Sequence, residues 1–459
     1  MNKLRLPLTC FYMVFFTLYS LITRFTWTAA KIDGGVNAAL YRSLLILGCL
    51  LALWWLFTCR HQLFSALSKP RKNMDFLFLA AFLAVLFIGA LANASQLAEN
   101  LYGILTFGFQ LVLFYLMGRT LSESEWNRIV KYVVLFGSVI WDIACAGSLV
   151  QFFLNISYRT TYASDRGAVR QGIMDGRLFG LFSDPNFAAF TSLLLLFGLW
   201  HIIREEKKKA GTFRLPIQIF AWFSIALNVC YIIMSNSRTV YLSVVGTILF
   251  YVLLVSYKKG QEKDEPTAAV IRRLAVRAVI TLAVVAVSYV ILLLSLRGVA
   301  EWISPDRNTA VEMVRDDVNG ENISNNRFTI WKAYLELYVE KPLFGFSTRG
   351  ALPYALTKPD SYLAKTQYVT HNSYLSLLVE TGAVGFCIMA AFMILVIIRS
   401  CKRIHDKKPV GGIYILFSSW LVSILIFCLC FHDIFFTMNL ETMLFLSSIG
   451  FLWQKQSVD

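Results

Sequence analysis

Four side chains from four separated parts of the chain could do chemistry together: Arg177, Arg238, Arg327 and His371. Each stands where a polar segment meets an apolar one or where a helix is expected to begin. Arginine stays charged and offers a planar fork matched to phosphate, whereas a single imidazole near neutrality can accept a proton. The set reads as a pyrophosphate clamp with a general base. His371 opens the stretch 369–386, where a long hydrophilic segment gives way to a membrane-length apolar run. Thr370, Asn372 and Ser373 around it are all helix-capping types, and first-turn amides favour anions and disfavour a protonated imidazole, which leaves a neutral base. Arg238 lies between two apolar runs in the tight polar stretch 235–239 with no acid close in sequence, so it needs a carboxylate from elsewhere or an anionic ligand. Arg177 precedes Gly180 and the turn-and-helix start Asp184-Pro185-Asn186. Taken singly, each residue has a plainer reading. His371 can be a polar cap, Arg177 a snorkelling interfacial arginine, and Ser235, Asn236 and Ser237 hydrogen-bonding support for a hairpin.

These residues must be held by a membrane protein. The chain is 57% hydrophobic with mean hydropathy +0.60, and it repeatedly shows nearly uncharged runs of the length that crosses a bilayer. Twelve such runs, centred near residues 14, 50, 84, 110, 141, 195, 224, 247, 287, 386, 421 and 444, predict an all-α polytopic bundle. No stretch between them is long and apolar enough for a separate soluble core, so residues 1–459 read as one membrane domain. No small-residue cleavage site follows the first run, which reads as a retained helix. Lys and Arg crowd the loops after the second, sixth, eighth and tenth runs (Lys69, Lys208, Lys259 and Lys402 among them), so the positive-inside rule puts both termini in the cytoplasm. It also gives a local cause for the net charge of +15 without nucleic acid.

Two outward segments depart from the pattern. Residues 157–186 carry Arg159, Arg166, Arg170 and Arg177 on the side where basic residues are sparse, and residues 297–370, between the ninth and tenth runs, form the one long hydrophilic loop. Within that loop, 326–339 reads as an amphipathic helix at the membrane face, with Phe328, Trp331, Ala333, Tyr334, Leu335 and Tyr338 apolar, ended by Lys341-Pro342. The nine cysteines show no CxxC spacing, and no Asp-x-Asp pair appears on the outward loops, Asp316-Asp317 being adjacent. Neither a disulfide framework nor a metal site is expected. Asp142, Glu380 and Glu441 are intramembrane acids, most simply paired with an arginine or histidine in the bundle.

Taken in order, Arg177 with Gly180 and Asp184-Pro185-Asn186, then Ser237-Arg238-Thr239, then Arg327 to Trp331 with Lys341-Pro342-Leu343-Phe344-Gly345, then His371-Asn372 through Glu380, Gly382 and Gly385 resemble the O-antigen ligase and O-antigen polymerase superfamily. The resemblance covers roughly residues 170–400. It implies a GT-C-like integral-membrane glycosyltransferase of the bacterial cytoplasmic membrane, without metal or other cofactor. Its donor would be an undecaprenyl-diphosphate-linked glycan and its acceptor a glycan, lipid or protein. Arg177, Arg238 and Arg327 would hold the diphosphate, His371 would activate the acceptor hydroxyl, and Asn186, Ser237 and Asn372 would support them. The rival from another class is a twelve-span secondary transporter, which should keep its ionisable residues and broken helices near the bilayer midplane in matching halves.

Overall fold

Apolar composition dictates the fold, because a backbone in hydrocarbon must satisfy its polar groups within its own segment. The computed structural model describes residues 2–26, 28, 34–68, 73–161, 168–174, 176–208, 214–303, 326–406, 410–431 and 434–454. Lys69, Arg166, Asp316 and Asp317 fall outside these residues. Each of the twelve apolar runs is a helix: α1 (Asn2–Ile22), α2 (Gly34–Ser68), α3 (Met74–Ala92), α4 (Leu97–Thr120), α5 (Glu123–Phe153), α6 (Pro185–Lys207), α7 (Arg214–Met234), α8 (Arg238–Glu262), α9 (Thr267–Ile303), then α13 (Ser373–His405), α14 (Gly412–Phe427) and α15 (Leu440–Trp453). Between α9 and α13 lie α10 (Arg327–Glu340), α11 (Ala351–Leu356) and α12 (Tyr362–Thr366). Among the described residues ten helices are long and apolar enough to cross a membrane. The last two are not: α14 has 16 residues and α15 has 14, roughly 24 and 21 Å against a hydrocarbon core of about 30 Å.

The helix starts follow side-chain chemistry. Ser122 and Glu125 form a reciprocal capping box at α5, Asp184 with Pro185 in the first turn starts α6, and Ser237, Asn372 and Asn439 cap α8, α13 and α15. Each satisfies amides that a helix leaves unpaired at its beginning.

One departure from an all-helical reading is a small antiparallel sheet, β1 (Ser157–Thr161), β2 (Ala168–Met174) and β3 (Arg177–Gly180), in that order. Ser157 pairs with Gly172 and Thr161 with Ala168, and the β2–β3 register shifts between Gly172 and Ile173. The segment read as a basic outward loop is thus structured as far as the residues that carry Arg177.

The chain divides into two compact units, residues 1–44, 122–319 and 407–427 in the first and 45–121, 320–406 and 428–459 in the second. In the first unit an aromatic cluster locks the sheet to the helices. The Phe182 ring lies 4.6 Å from Trp141, 4.8 Å from Tyr231 and 5.7 Å from Phe25, centroid to centroid. Asp142, in α5, accepts from Ser224 Oγ at 2.9 Å and Asn228 Nδ2 at 3.1 Å in α7. Neutral donors, rather than the expected arginine or histidine, meet this buried acid.

In the second unit α10 to α12 pack on α13 through Ile330, Tyr334, Leu337, Phe346, Leu363 and Val379. Phe328, Leu335 and Val339 of α10 stay exposed, so the apolar residues of this helix divide between a packed face and an outer one. α13 is broken at Gly382, whose φ of 63° and ψ of −177° are closed to residues with a Cβ. The loop after α10 fills the break. Ala383 N–H donates to the Pro342 carbonyl at 2.7 Å, Val384 N–H to Leu343 at 3.1 Å, and Phe346 N–H to Val379 at 3.3 Å. Backbone runs against backbone here, and a Cβ on Gly345 would lie 2.6 Å from the Glu380 carbonyl carbon. Glu380 itself accepts from Ala351 N–H at 3.3 Å and so ties α11 to the same place.

Candidate functional site

Within the first unit, three sequence-separated candidates meet at one hydrogen-bonded centre. Arg177 is buried on β3, whose all-buried residues bring it under the short link between α7 and α8. Its Nε donates to the Ser235 carbonyl at 3.0 Å and its Nη2 to Asn186 Oδ1 at 2.6 Å. The same Oδ1 accepts from Ser237 Oγ at 2.8 Å. Asn186 is held in the first turn of α6 by its backbone N–H, which donates to the Asp184 carboxylate at 2.7 Å. The link is three residues long. Asn236 takes a left-handed φ of 47° at its middle, and its Nδ2 donates to the Gly176 carbonyl at 3.1 Å. Arg238 follows as the first residue of α8. Its side chain is exposed, and among the described residues it makes no hydrogen bond or ion pair.

Within the second unit, His371 is half-buried immediately before the capping residue of α13. Its φ of 48° is left-handed, and both neighbours are pinned. Asn372 Oδ1 accepts from the Tyr374 and Leu375 amides, each at 3.0 Å. On the other side the Thr370 carbonyl accepts from Trp331 Nε1 at 2.9 Å, and Thr370 Oγ1 donates to the Asn372 carbonyl at 3.1 Å. Ser373 then fastens the helix start, its N–H to the Cys428 carbonyl at 2.9 Å and its Oγ to the Phe431 carbonyl at 2.6 Å. Arg327 begins α10, one helical turn before Trp331. Among the described residues its guanidinium also makes no hydrogen bond or ion pair.

Arg238 and Arg327 share an unusual placement. The start of a helix carries the positive end of its dipole, so a cation there costs roughly 0.3–1 kcal/mol where an anion would gain as much. At α10 Asn326 makes no side-chain cap bond. A bound anion reverses the sign of the cost, since first-turn amides and a forked guanidinium then converge on it. Among the described residues no three His, Cys, Asp or Glu side chains are grouped as metal ligands would be.

A family model described as O-antigen ligase matches residues 223–390. The segment is O-antigen ligase-like. It contains Ser237, Arg238, Arg327, His371 and Asn372, together with Gly345 of the loop after α10 and Gly382 of the broken helix, whereas Arg177 and Asn186 precede it. The superfamily resemblance carried by the motifs therefore stands, and with it an O-antigen ligase-like function in a multi-pass membrane protein. Partners of that general class are a lipid-linked glycan and an acceptor. No curated protein matches the chain.

The structure joins Arg177, Asn186 and Ser237 by direct hydrogen bonds and puts Arg238 beside them. It separately sets His371 and Asn372 at the start of α13 and Arg327 at the start of α10. Sequence reasoning missed Trp331 as the residue that fixes Thr370, treating it as a membrane-surface aromatic. A Trp one turn past a helix start offers an indole N–H as well as a ring, and when packed it seeks an acceptor. That signal was available. Ser235, expected only to support a hairpin, also gives its carbonyl to Arg177.

Proposed function

We propose that the chain is a membrane glycosyltransferase that transfers a glycan from an undecaprenyl-diphosphate carrier to an acceptor hydroxyl on the outer face of the cytoplasmic membrane. The acceptor oxygen attacks the anomeric carbon while the bond from that carbon to the diphosphate oxygen breaks. His371 takes the acceptor's proton, and the departing diphosphate gains charge that Arg238 and Arg327 stabilise. Arg177 adds its charge from beneath the α7–α8 link while Asn186 and Ser237 hold that link in shape. Polymerisation is the same step with a second carrier-linked unit as acceptor.

The observation that carries this reading is the pair of arginines at helix starts, each fixed by its backbone and each with its guanidinium unspent on the described protein. A structural arginine spends its donors on carbonyls or carboxylates, as Arg177 does. Each that does not, in a segment matching the O-antigen ligase model, supports a role in binding phosphate.

The test separates base from clamp. His371→Ala should leave donor binding near normal and lower single-turnover rate by roughly 100- to 10,000-fold, the usual worth of a general base. Arg238→Ala should weaken donor binding as well as turnover, with Lys restoring only part because it keeps the charge and loses the fork. Donor affinity and single-turnover transfer are measured on purified, monodisperse protein. Near-normal turnover by His371→Ala would leave His371 as a helix-end residue only.

A further inference from the structure

The first unit has a second polar site at the far end of α6 from Arg177, and we propose that it binds the headgroup of a zwitterionic phospholipid with a primary ammonium, phosphatidylethanolamine being the simplest. The site is a cleft of about 410 Å³ between the beginning of α5 and the end of α6, a size within the roughly 300–1,000 Å³ of ligand pockets. Asn186, which holds Arg177, and His201, which lines the cleft, both lie on α6, and the helical rise between them is about 22 Å. The proposal is independent of the reaction assigned above.

The charges of the cleft are sorted by wall. Arg128 and Lys131 stand on α5, Glu205 and Glu206 on α6. The helix ends act in the same sense, since the amide end of α5 favours an anion and the carbonyl end of α6 a cation. Lys131 and Glu206 already bridge the two walls, Nζ to Oε1 at 2.9 Å. Buried His201 makes a second tie, its Nε2 donating to Asn127 Oδ1 at 2.7 Å, so the spacing of the walls is set without a ligand. The other two charges are available. Arg128 is exposed, and among the described residues it makes no hydrogen bond or ion pair. Glu205 pairs along its own helix with Lys208 at 2.7 Å, a lysine whose side chain is exposed, and such a solvent-facing pair loosens at little cost.

A dipolar cleft selects a dipolar ligand. A phosphate diester suits Arg128, and an ammonium with three N–H donors suits the Glu205 carboxylate. Phosphatidylglycerol brings a negative charge with no cation of its own to a cleft that holds two carboxylates, and the quaternary cation of phosphatidylcholine has no N–H to donate. The soluble headgroup carries the same charges as the lipid, so the choice between them rests on what lies beside the cleft. Tyr132 lines it and begins an exposed apolar row on α5 that continues through Phe136, Val139 and Ile143. That spacing keeps the row on one helix face, and it rises about 16 Å, roughly half of the hydrocarbon thickness. An acyl chain anchored at the cleft has an apolar track of one leaflet's depth to lie against.

The full-length protein, delipidated in detergent, is titrated with phosphatidylethanolamine, phosphatidylglycerol and phosphatidylcholine of identical acyl composition, and retained lipid is counted by native mass spectrometry. One phosphatidylethanolamine per protein should be held in preference to either other lipid by roughly tenfold, the worth of one charge-assisted hydrogen bond. Arg128→Gln and Glu205→Gln should each erase that preference. Thermal unfolding without lipid checks that both variants fold; should Glu205→Gln fail, Arg128→Gln decides alone, since an exposed side chain without partners can be replaced at little cost. Equal retention of the three lipids, stronger retention of phosphatidylglycerol, or a preference that survives Arg128→Gln would overturn the assignment. Soluble phosphoethanolamine separates headgroup from lipid. It should leave the bound phosphatidylethanolamine in place at millimolar concentration, and displacement would refute the lipid in favour of a soluble zwitterion.

Discussion

Replacing Asn186 tests whether the Arg177 centre is a scaffold or a charge store. Its single side-chain oxygen accepts from Arg177 Nη2 at 2.6 Å and Ser237 Oγ at 2.8 Å, both donors belonging to buried residues. Asn186→Ala removes one charge-assisted bond and one neutral bond and leaves both donors without that acceptor. Each such loss costs about 1–3 kcal/mol, and partial relaxation brings the pair to roughly 2–3 kcal/mol of local opening free energy. Amide hydrogen exchange in residues 176–186 and 235–240 should then quicken by roughly 30- to 150-fold, at about 1.4 kcal/mol per tenfold. Asn186→Asp distinguishes the two roles. It keeps the acceptor, pairs with Arg177 and sits in the first turn of α6, where an acid is favoured. Exchange should remain as slow as in the parent or slower, while transfer activity falls, because the new charge neutralises Arg177 and repels the diphosphate. An unaltered exchange rate in Asn186→Ala would show that the centre holds nothing together. Full activity in Asn186→Asp would remove Arg177 from the charge that stabilises the leaving group.

Three further outcomes follow from other parts of the structure. Gly382→Ala should lower thermal stability and yield, because the new Cβ would lie 2.5 Å from the Phe344 nitrogen at a φ of 63°, a backbone region that alone costs about 1–3 kcal/mol; normal melting in detergent would contradict the broken helix. Transfer by the purified protein should persist in EDTA, since arginines supply the counter-charge; loss restored only by magnesium or manganese would refute the clamp. A hydrogen bond from Lys358, with a second from Tyr354, holds the Glu340 carboxyl below the usual carboxylate range. This link between α10 and α11 is therefore fully present above the unfolded carboxylate's value and lost as pH falls through the lowered native one. Exchange at residues 340–358, corrected for intrinsic rates, should rise only in that acid window and only slightly, because the pair faces solvent.

The helices were legible because an apolar run long enough to cross a bilayer has few alternatives in lipid, and every one of the twelve appears. The sheet was not, because its strands are short, interrupted and rich in Arg, Thr and Gly, a composition that also suits a loop. Asp175-Gly176 between Met174 and Arg177 was the hairpin signal to weigh. The break in α13 escaped for another reason. Hydropathy registers Gly382 as one more small residue in an apolar run, whereas its meaning lies in the backbone of residues 342–346 that lies against it. At the candidate site, residue type and boundary position pointed to Arg177, Arg238, Arg327 and His371 as polar groups needing a reason. Sequence could not tell that Arg177 spends donors on Ser235 and Asn186 while Arg238, next to Ser237, does not. That distinction depends on which carbonyls a fold brings within 3 Å, and no local pattern encodes it.

His371 shows why the same limit matters for mechanism. A non-glycine residue in left-handed backbone costs roughly 1–2 kcal/mol, and nothing in the Val-Thr-His-Asn-Ser order requires it. The cost is met by neighbours: Trp331 holds the Thr370 carbonyl, Thr370 holds the Asn372 carbonyl, and Asn372 holds two amides of α13. With both adjoining residues tied, the backbone at His371 is fixed. A base that must meet a hydroxyl at hydrogen-bond range gains from that restriction, since misplacement by about 1 Å can cost on the order of 100-fold in rate. The same left-handed backbone precedes the capping residue Ser237 at Asn236, so it serves a helix start and a fixed base alike, and the turnover of His371→Ala decides between them.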